Sequence, residues 1–303
     1  MKARPYLITA FAIGAMSLHA LAVDAKNYSY NTSAKTQSAD EMEDLGEISP
    51  SGDAGSESDG KSMSPPEAIK GKFRVNVSAR GEYTSNAKLS GDHSSSDFIG
   101  LPTVEGGYNV ALGKHFTFDL AAKVESGLYA DNQDRGFAGY SANATLDYRP
   151  KTGLPRIYVS AEPYRYDSFD TGDRITQAVG VSTGTDWGIS FNAGRSVAFV
   201  GYNYGHYFAD PSIDNRNSHR VVVGLAHQLR QNLTGQLFYA WQYNDYTDIE
   251  RHDSRNLVGV NFVCAITKNL FGSFTTSFVD NDSSFDRASY QSVTASLGLT
   301  LQF

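Results

Sequence analysis

A histidine and a serine that stand two residues apart, His252 and Ser254, are the residues of this chain best arranged for catalysis. A neutral histidine beside a serine can remove the hydroxyl proton, which is how many acyl-transfer enzymes activate their nucleophile. A spacing of two places both side chains on the same face of a β-strand. An acidic or amide third member is available nearby in the sequence, at Asn244, Asp245 or Asp248. His252 and Ser254 are therefore candidate catalytic residues.

The alternative interpretation is that these are ordinary residues of a polar loop. Asp and Ser are common in turns, and an Asn217-Ser218-His219 sequence occupies the equivalent place in another segment without the same order. Two further histidines, His206 and His227, form no group with metal-ligand spacing. The chain has no glycine-rich phosphate loop. We therefore predict no metal site and no cofactor.

The N-terminus resembles a secretory signal peptide. Lys2 and Arg4 precede a largely apolar, uncharged run at residues 7–18, and the Ala-Leu-Ala sequence at 20–22 is a small-x-small cleavage site. The run is shorter than the about 20 apolar residues that a membrane-spanning helix needs. The pattern predicts export, with residues 1–22 removed.

The charge of the exported chain argues against one class of partner. Without Lys2 and Arg4 it has 24 basic and 33 acidic residues, a net charge of −9, and no basic run, so no nucleic-acid partner is expected. Residues 23–70 carry ten acids and four bases among many Ser and Gly. This composition predicts a disordered acidic segment, with a docking segment or a lumen plug as alternatives. Cys264 is the only cysteine, which excludes a disulfide within the chain.

From residue 72 onward the sequence alternates between apolar and polar residues in the manner of β-strands. We predict twelve strands, at 72–86, 97–112, 115–129, 137–149, 155–166, 173–191, 196–208, 217–229, 232–245, 254–266, 269–279 and 288–303. Short connectors alternate with longer ones that are rich in Asp, Asn and Ser. An even number of strands places both ends of the barrel on one side, and for that reason the long segment 173–191 is kept as one strand.

A glycine between two apolar residues recurs in four of these strands. The four positions are Gly180, Gly224, Gly259 and Gly298, and the steps between them are 44, 35 and 39 residues. Each step corresponds to one hairpin. In the alternation of each strand, the glycine falls among the polar residues, on the face expected to point into the lumen of a barrel. We expect these glycines to relieve crowding or to let the strand bend.

The final strand carries the most specific pattern of the chain. Its lipophilic residues alternate strictly with small or polar ones up to a terminal aromatic residue. The order polar, any, Gly, any, any, apolar, any, aromatic resembles the assembly signal of bacterial outer-membrane β-barrels, here at Ser296, Gly298, Leu301 and Phe303. The resemblance implies a porin-like transmembrane antiparallel β-barrel at 71–303. It also implies recognition by the barrel-assembly machinery, contact with outer-membrane lipid, and both barrel termini in the periplasm.

Strand parity assigns many charged side chains to the inside of such a barrel. Charged residues at the bilayer midplane are costly on the lipid side, by about 2–4 kcal/mol for Arg or Lys, so a polar lumen is expected. The predicted inward set also holds Asp119, Asp147, Arg149, Arg156, Arg220 and Arg255. The predicted pore-lining residues are Arg74, Arg80, Glu82, Glu105, Lys123, Glu125 and Glu162. Because the set contains both acidic and basic residues, no strong selectivity for one ion is expected. Ion pairs between acids and bases of different strands could equally close the lumen.

Three functions remain open at this point. The leading hypothesis is a porin-like channel for small hydrophilic solutes. Outer-membrane lipid hydrolases, including phospholipase A and lipid A deacylase, use a lipid-facing His and Ser two residues apart, and His252 with Ser254 resembles that pair. The third hypothesis is a structural or surface-interaction barrel with a closed lumen.

Overall fold

The computed structural model describes residues 71–87, 89, 95–150, 154–192, 195–285 and 288–303, so the predicted signal peptide and acidic segment lie outside the described residues. Twelve strands account for most of the described residues, which confirms the predicted fold class. The strands are β1 (Gly71–Thr84), β2 (Asp97–Ala111), β3 (Phe116–Tyr129), β4 (Phe137–Tyr148), β5 (Arg156–Ser168), β6 (Arg174–Phe191), β7 (Ser196–Asp210), β8 (Arg216–Arg230), β9 (Leu233–Tyr246), β10 (Arg251–Ala265), β11 (Leu270–Ser283) and β12 (Tyr290–Gln302).

Each strand pairs with its sequence neighbours in antiparallel fashion, and the sheet closes on itself between β1 and β12. The closing register runs from Asn76 opposite Gln302 to Thr84 opposite Thr294. Beyond Gln302, the backbone N–H of Phe303 donates to the carbonyl of Val75 at 2.9 Å. Closure leaves no unpaired sheet edge. The long strand β6 is continuous: it pairs with β5 over residues 174–186 and with β7 over residues 177–191.

Side chains alternate between an exposed outer face and a buried inner face. On β1, Phe73 is 83% exposed on the outside, whereas Asn76 on the inside is only 7% exposed. The outer face is mainly Val, Leu, Ile, Phe, Tyr and Trp, whereas the inner face carries most of the charged side chains of the strands together with two buried apolar clusters. This arrangement is the reverse of a water-soluble β-protein and follows from the period-two pattern of the sequence.

The two ends of the barrel differ less in connector length than the sequence suggested. At one end, the turn end, the connectors are 112–115, 149–155, 192–195, 231–232 and 266–269. At the other, the loop end, they are 85–96, 130–136, 169–173, 211–215, 247–250 and 284–289. The strands extend into several segments predicted as loops, because the backbone ladders between neighbouring strands continue through polar sequence. Short 3₁₀ helices lie at Gln133–Arg135 and Ser212–Asp214. Among the described residues, no helix is long and apolar enough to cross a membrane.

Asp97 fixes one loop at the loop end. Its side chain is 1% exposed. One carboxylate oxygen accepts hydrogen bonds from the backbone N–H groups of Phe98, Ala130 and Asp131, at 2.7, 3.1 and 3.0 Å. The other accepts from the backbone and side-chain nitrogens of Asn132, at 2.9 and 2.6 Å. The start of β2 therefore holds the loop that leaves β3.

Aromatic rings on the inner face lie against glycines of the neighbouring strand. In six cases the two residues stand directly opposite each other, and a Cβ added to the glycine would lie less than 3.0 Å from the facing ring. The pairs are Gly127–Phe137, Gly139–Tyr166, Gly184–Tyr158, Gly180–Tyr207, Gly224–Phe199 and Gly259–Phe238. At Gly298 the crowding group is the hydroxyl of Ser273, at 2.7 Å. The four repeat glycines thus lie on the inner face and relieve crowding, as predicted.

Candidate functional site

The seven side chains predicted to line the pore all belong to the inner face of the barrel. They come from β1, β2, β3 and β5, and all are buried or half-buried. They are Arg74, Arg80, Glu82, Glu105, Lys123, Glu125 and Glu162. Arg149, which parity also assigned to the inside, instead lies exposed in the turn after β4, because β4 ends at Tyr148. A role of the seven residues in conduction stays a prediction.

Most of these charges form ion pairs along the wall of the barrel. Arg74 donates to both carboxylate oxygens of Asp119, at 2.6 and 3.0 Å, and its Nε lies 3.7 Å from Glu105. On the same wall, the Lys123 ammonium lies 3.2 Å from Glu125. Glu125 in turn accepts a hydrogen bond of 2.8 Å from the Tyr166 hydroxyl. Bidentate and shared contacts of this kind hold the side chains against the wall.

A second buried network joins β4, β5 and β6. Arg156 Nε donates to Asp147 at 2.6 Å, and Arg156 Nη1 lies 3.1 Å from Asp186. The same guanidinium lies over the Tyr158 ring, 4.9 Å from its centroid. Asp186 was missing from the predicted inward set. It stands in β6 two and four residues after Gly184 and Ser182, so strict alternation would have placed it on the same inner face.

Four arginines form a basic patch on β8 and β10, here called the arginine wall: Arg216, Arg220, Arg251 and Arg255. The register places them in two rows across the intervening strand β9. Arg216 and Arg251 both stand opposite Tyr246. Arg220 and Arg255 both stand opposite Gln242. The first row was missed because Arg216 and Arg251 fall in segments predicted as loops, whereas β8 and β10 begin at these residues.

The arginine wall makes the interior electrostatically uneven. Apart from Asp97, which faces the 130–132 backbone, the inner side chains of β1–β6 between the rims comprise seven acids and four bases. The acids are Glu82, Glu105, Asp119, Glu125, Asp147, Glu162 and Asp186. On β7–β12 the four arginines face a single acid, Asp253. The mixture of signs expected from the sequence is therefore separated into an acidic side and a basic side, which sets up a field across the lumen.

Side chains narrow the lumen in the half nearer the loop end. The Arg216 guanidinium on β8 interacts with the Tyr164 hydroxyl on β5, three strands away. Tyr164 also packs against a buried cluster formed by Ala87, Ile99, Leu101, Tyr129, Phe137 and Tyr166. A second cluster covers the opposite wall, with Phe199, Val222, Phe238, Ala240, Leu257 and Val279. We call the contact between Tyr164 and Arg216 the loop-end constriction.

Asp214 lies beside this constriction, in the 3₁₀ helix between β7 and β8. The side chain is 3% exposed, and neither carboxylate oxygen has a hydrogen-bond partner among the described residues. Burial raises the pKa of Asp214 to about 7, while the positive charges of Arg216 and Arg251 act in the opposite direction. The connector 211–215 therefore turns inward and carries a carboxyl group that titrates near neutral pH.

His252 and Ser254 lie on the outer face near the loop end, as parity predicted. The Ser254 hydroxyl accepts a hydrogen bond of 3.2 Å from the Trp241 indole, and the His252 ring lies 6.2 Å from the Tyr243 ring. Within the described part of the chain, no hydrogen bond joins the two candidate side chains. Asp253, between them, points to the inner face. The described residues also contain no group of three His, Cys, Asp or Glu that could hold a metal ion.

The residues of the predicted assembly signal divide between the two faces. Leu301 and Phe303 are exposed on the outer face, with Phe303 67% exposed. Ser296 and Gly298 lie on the inner face opposite Glu82 and Arg80 of β1. The pattern therefore belongs to the strand that closes the barrel, and its recognition by the assembly machinery stays a prediction.

Comparison with known proteins places the fold among outer-membrane barrels. Residues 208–303 match the family model described as "putative beta-barrel porin 2". No curated protein sequence matched. An outer-membrane channel from Pseudomonas putida F1 has a similar structure, with a TM-score of 0.51 and 10% identity over 80% of this chain and 100% of that chain.

Two further structures are more distant. The translocator domain of autotransporter NalP from Neisseria meningitidis has a TM-score of 0.47 and 11% identity, over 78% of this chain and 90% of its own. The outer-membrane channel DcaP of Acinetobacter baumannii has a TM-score of 0.43 and 12% identity, over 80% and 99%. The closed antiparallel barrel of this chain is shown by its own strand pairing.

Proposed function

We propose that the protein is a porin-like channel that passes small hydrophilic solutes across the bacterial outer membrane. The observation that carries the proposal is the division between faces: an apolar outer face on a closed twelve-stranded barrel, and an inner face with at least sixteen charged side chains on its two walls. Polar solutes pass a charged, hydrated wall more easily than lipid, because the charged groups replace the water that the solute loses. In this proposal both barrel termini lie in the periplasm and the loop end faces outward.

The proposed path passes the loop-end constriction. Tyr164 and Arg216 approach each other from strands three positions apart, so their contact crosses the part of the lumen in front of β6 and β7. Solutes must then pass between the acidic side and the arginine wall, where the field orients dipolar molecules. This geometry favours small solutes over large ones.

Reconstitution of the full chain into planar lipid bilayers tests the proposal. Wild-type protein should give stepwise conductance, and Tyr164→Ala should give larger unit steps because truncation opens the constriction. Tyr140→Ala is a matched control, since Tyr140 lies exposed on the outer face of β4. A bilayer that stays sealed at high protein load, with both wild type and Tyr164→Ala, would contradict the channel.

A closed structural or surface-interaction barrel is the second candidate, and one observation favours it. Many inner side chains near the loop end are less than 9% exposed, including Glu125, Arg216 and Asp253. Packing of this density supports a lumen filled by its own side chains. Absence of conductance in both variants, together with a correctly folded barrel, would select this function.

A further inference from the structure

The buried guanidinium of Arg255 has no hydrogen-bond acceptor among the described residues. The side chain is 3% exposed, and Nε, Nη1 and Nη2 all lack a hydrogen-bond partner among the described residues. A guanidinium carries five N–H donors and keeps its charge at any pH that proteins tolerate. A buried cation without acceptors is strongly unfavourable. The surroundings of Arg255 therefore point to an acceptor that does not belong to the described residues.

Neighbouring acceptors are already used by other donors. Both oxygens of Asp253 accept from Arg251, at 2.9 and 2.5 Å, and they also accept from the hydroxyls of Ser283 and Tyr246, at 2.5 and 3.2 Å. Asp253, the acid nearest to Arg255, is therefore fully engaged, and the other buried acid of this region, Asp214, lies beside Arg216 and Arg251 in the other row.

Arg220 supplies a second cation in the same row. Arg220 and Arg255 stand on either side of Gln242, on strands two positions apart, which corresponds to about 10 Å between backbones. Both side chains face inward, and Arg220 is 4% exposed. Two long arginine side chains at this separation can reach a shared anion between them. Arg216, in the first row of the arginine wall, adds further positive potential.

We infer that Arg220 and Arg255 form a lumenal binding site for a small carboxylate of the size of formate or acetate. The planar guanidinium fork matches a carboxylate through two parallel N–H···O bonds. The complete burial of the Arg255 nitrogens restricts the ligand to a small anion that sheds its water. The site deepens the proposed function, because it rests on access through the lumen of the channel.

Binding is measured as acetate-dependent stability of the full-length barrel in detergent micelles, at constant ionic strength made up with sodium chloride. The readout is the urea midpoint followed by tryptophan fluorescence. A ligand that binds only the folded state lowers the unfolding equilibrium constant about 100-fold at 100 times its dissociation constant. Wild type should show this saturable response to acetate.

Substitutions at the two arginines then separate a binding site from a structural role. Arg255→Gln should raise the midpoint without acetate, because it removes the buried charge, and should abolish the response. Arg255→Lys, which keeps the charge and loses the fork, should need at least about tenfold more acetate. If Arg255→Gln does not fold, Arg220→Gln is measured in the same way and should also lose the response. Arg149→Gln, an exposed turn residue, should respond like wild type.

Lack of an acetate response in wild type, or a response in Arg255→Gln equal to that of wild type, would overturn the site. The two proposals fail separately. An acetate response together with a sealed bilayer removes the channel and keeps the site. Conductance steps without an acetate response remove the site and keep the channel.

Discussion

The contacts of Asp97 predict a large effect for a single side chain at the loop end. In Asp97→Ala, the backbone N–H groups of Asp131 and Asn132 lose their acceptor, whereas Ala130 N–H keeps its bond to the Phe98 carbonyl at 2.9 Å. A buried donor left without a partner costs about 1–3 kcal/mol. Because Asp131 is exposed and Asn132 is half-buried, the two donors together should lower the free energy of unfolding by about 1–3 kcal/mol. Water that enters the vacated space moves the value toward the lower end.

Urea unfolding of the micelle-bound barrel measures this loss, as a shift of midpoint at unchanged slope. Asp97→Asn keeps one acceptor oxygen and should lose about half as much, because its amide nitrogen faces the donors of Asn132. Asp134→Ala is the matched control, since Asp134 is exposed in the same loop. If Asp97→Ala unfolds within about 0.5 kcal/mol of Asp134→Ala, the hydrogen bonds do not hold the loop in the way described.

Two further perturbations test other parts of the structure. The pKa of Asp214 is raised to about 7 from its usual 3.8, so the folded state holds this proton more tightly, and the free energy of unfolding should fall as pH rises from about 4 to about 7. The fall amounts to about 4 kcal/mol at most. Unfolding midpoints of Asp214→Asn across this pH range should not show the fall. Equal pH profiles of the two proteins would exclude Asp214 as the group that titrates. Gly224→Ala places a methyl group against the Phe199 ring and 2.7 Å from the Leu237 carbonyl oxygen, and should destabilise the barrel by about 1–3 kcal/mol. Gly106→Ala, with open space around it, should be nearly neutral in the same unfolding assay, and a similar loss in both variants would refute steric crowding as the cause.

The strand count and the two faces were predictable because period-two alternation is a local property. Phe73 and Arg74 already separate outside from inside in the sequence, and every later strand repeats the pattern. The same parity placed Arg220 and Arg255 inside and His252 and Ser254 outside. Which side chains of a strand point outward and which point into the lumen therefore follows from the sequence of that strand alone.

Strand ends and contacts across the lumen were not predictable in this way. Arg216 and Arg251 follow polar sequence typical of loops, and only pairing with neighbouring strands shows that β8 and β10 begin there. The contact of Tyr164 with Arg216 depends on the cross-section of the closed barrel, which no local pattern encodes. The separation of charge into two sides was visible only after the inner residues were assigned to strands around the closed sheet.

The rings that lie against glycines have a consequence for solvent at the backbone. A ring laid over the bare Cα of Gly259 or Gly224 covers the adjoining peptide groups from the lumen side, as Phe238 and Phe199 do here. Peptide hydrogens at these positions are therefore shielded even when the lumen holds water. Slow exchange with deuterium would mark the covered peptides as a ladder of protected sites around the barrel, distinct from the open peptides beside Gly106. Such a pattern would let the inner surface be mapped without a bound solute.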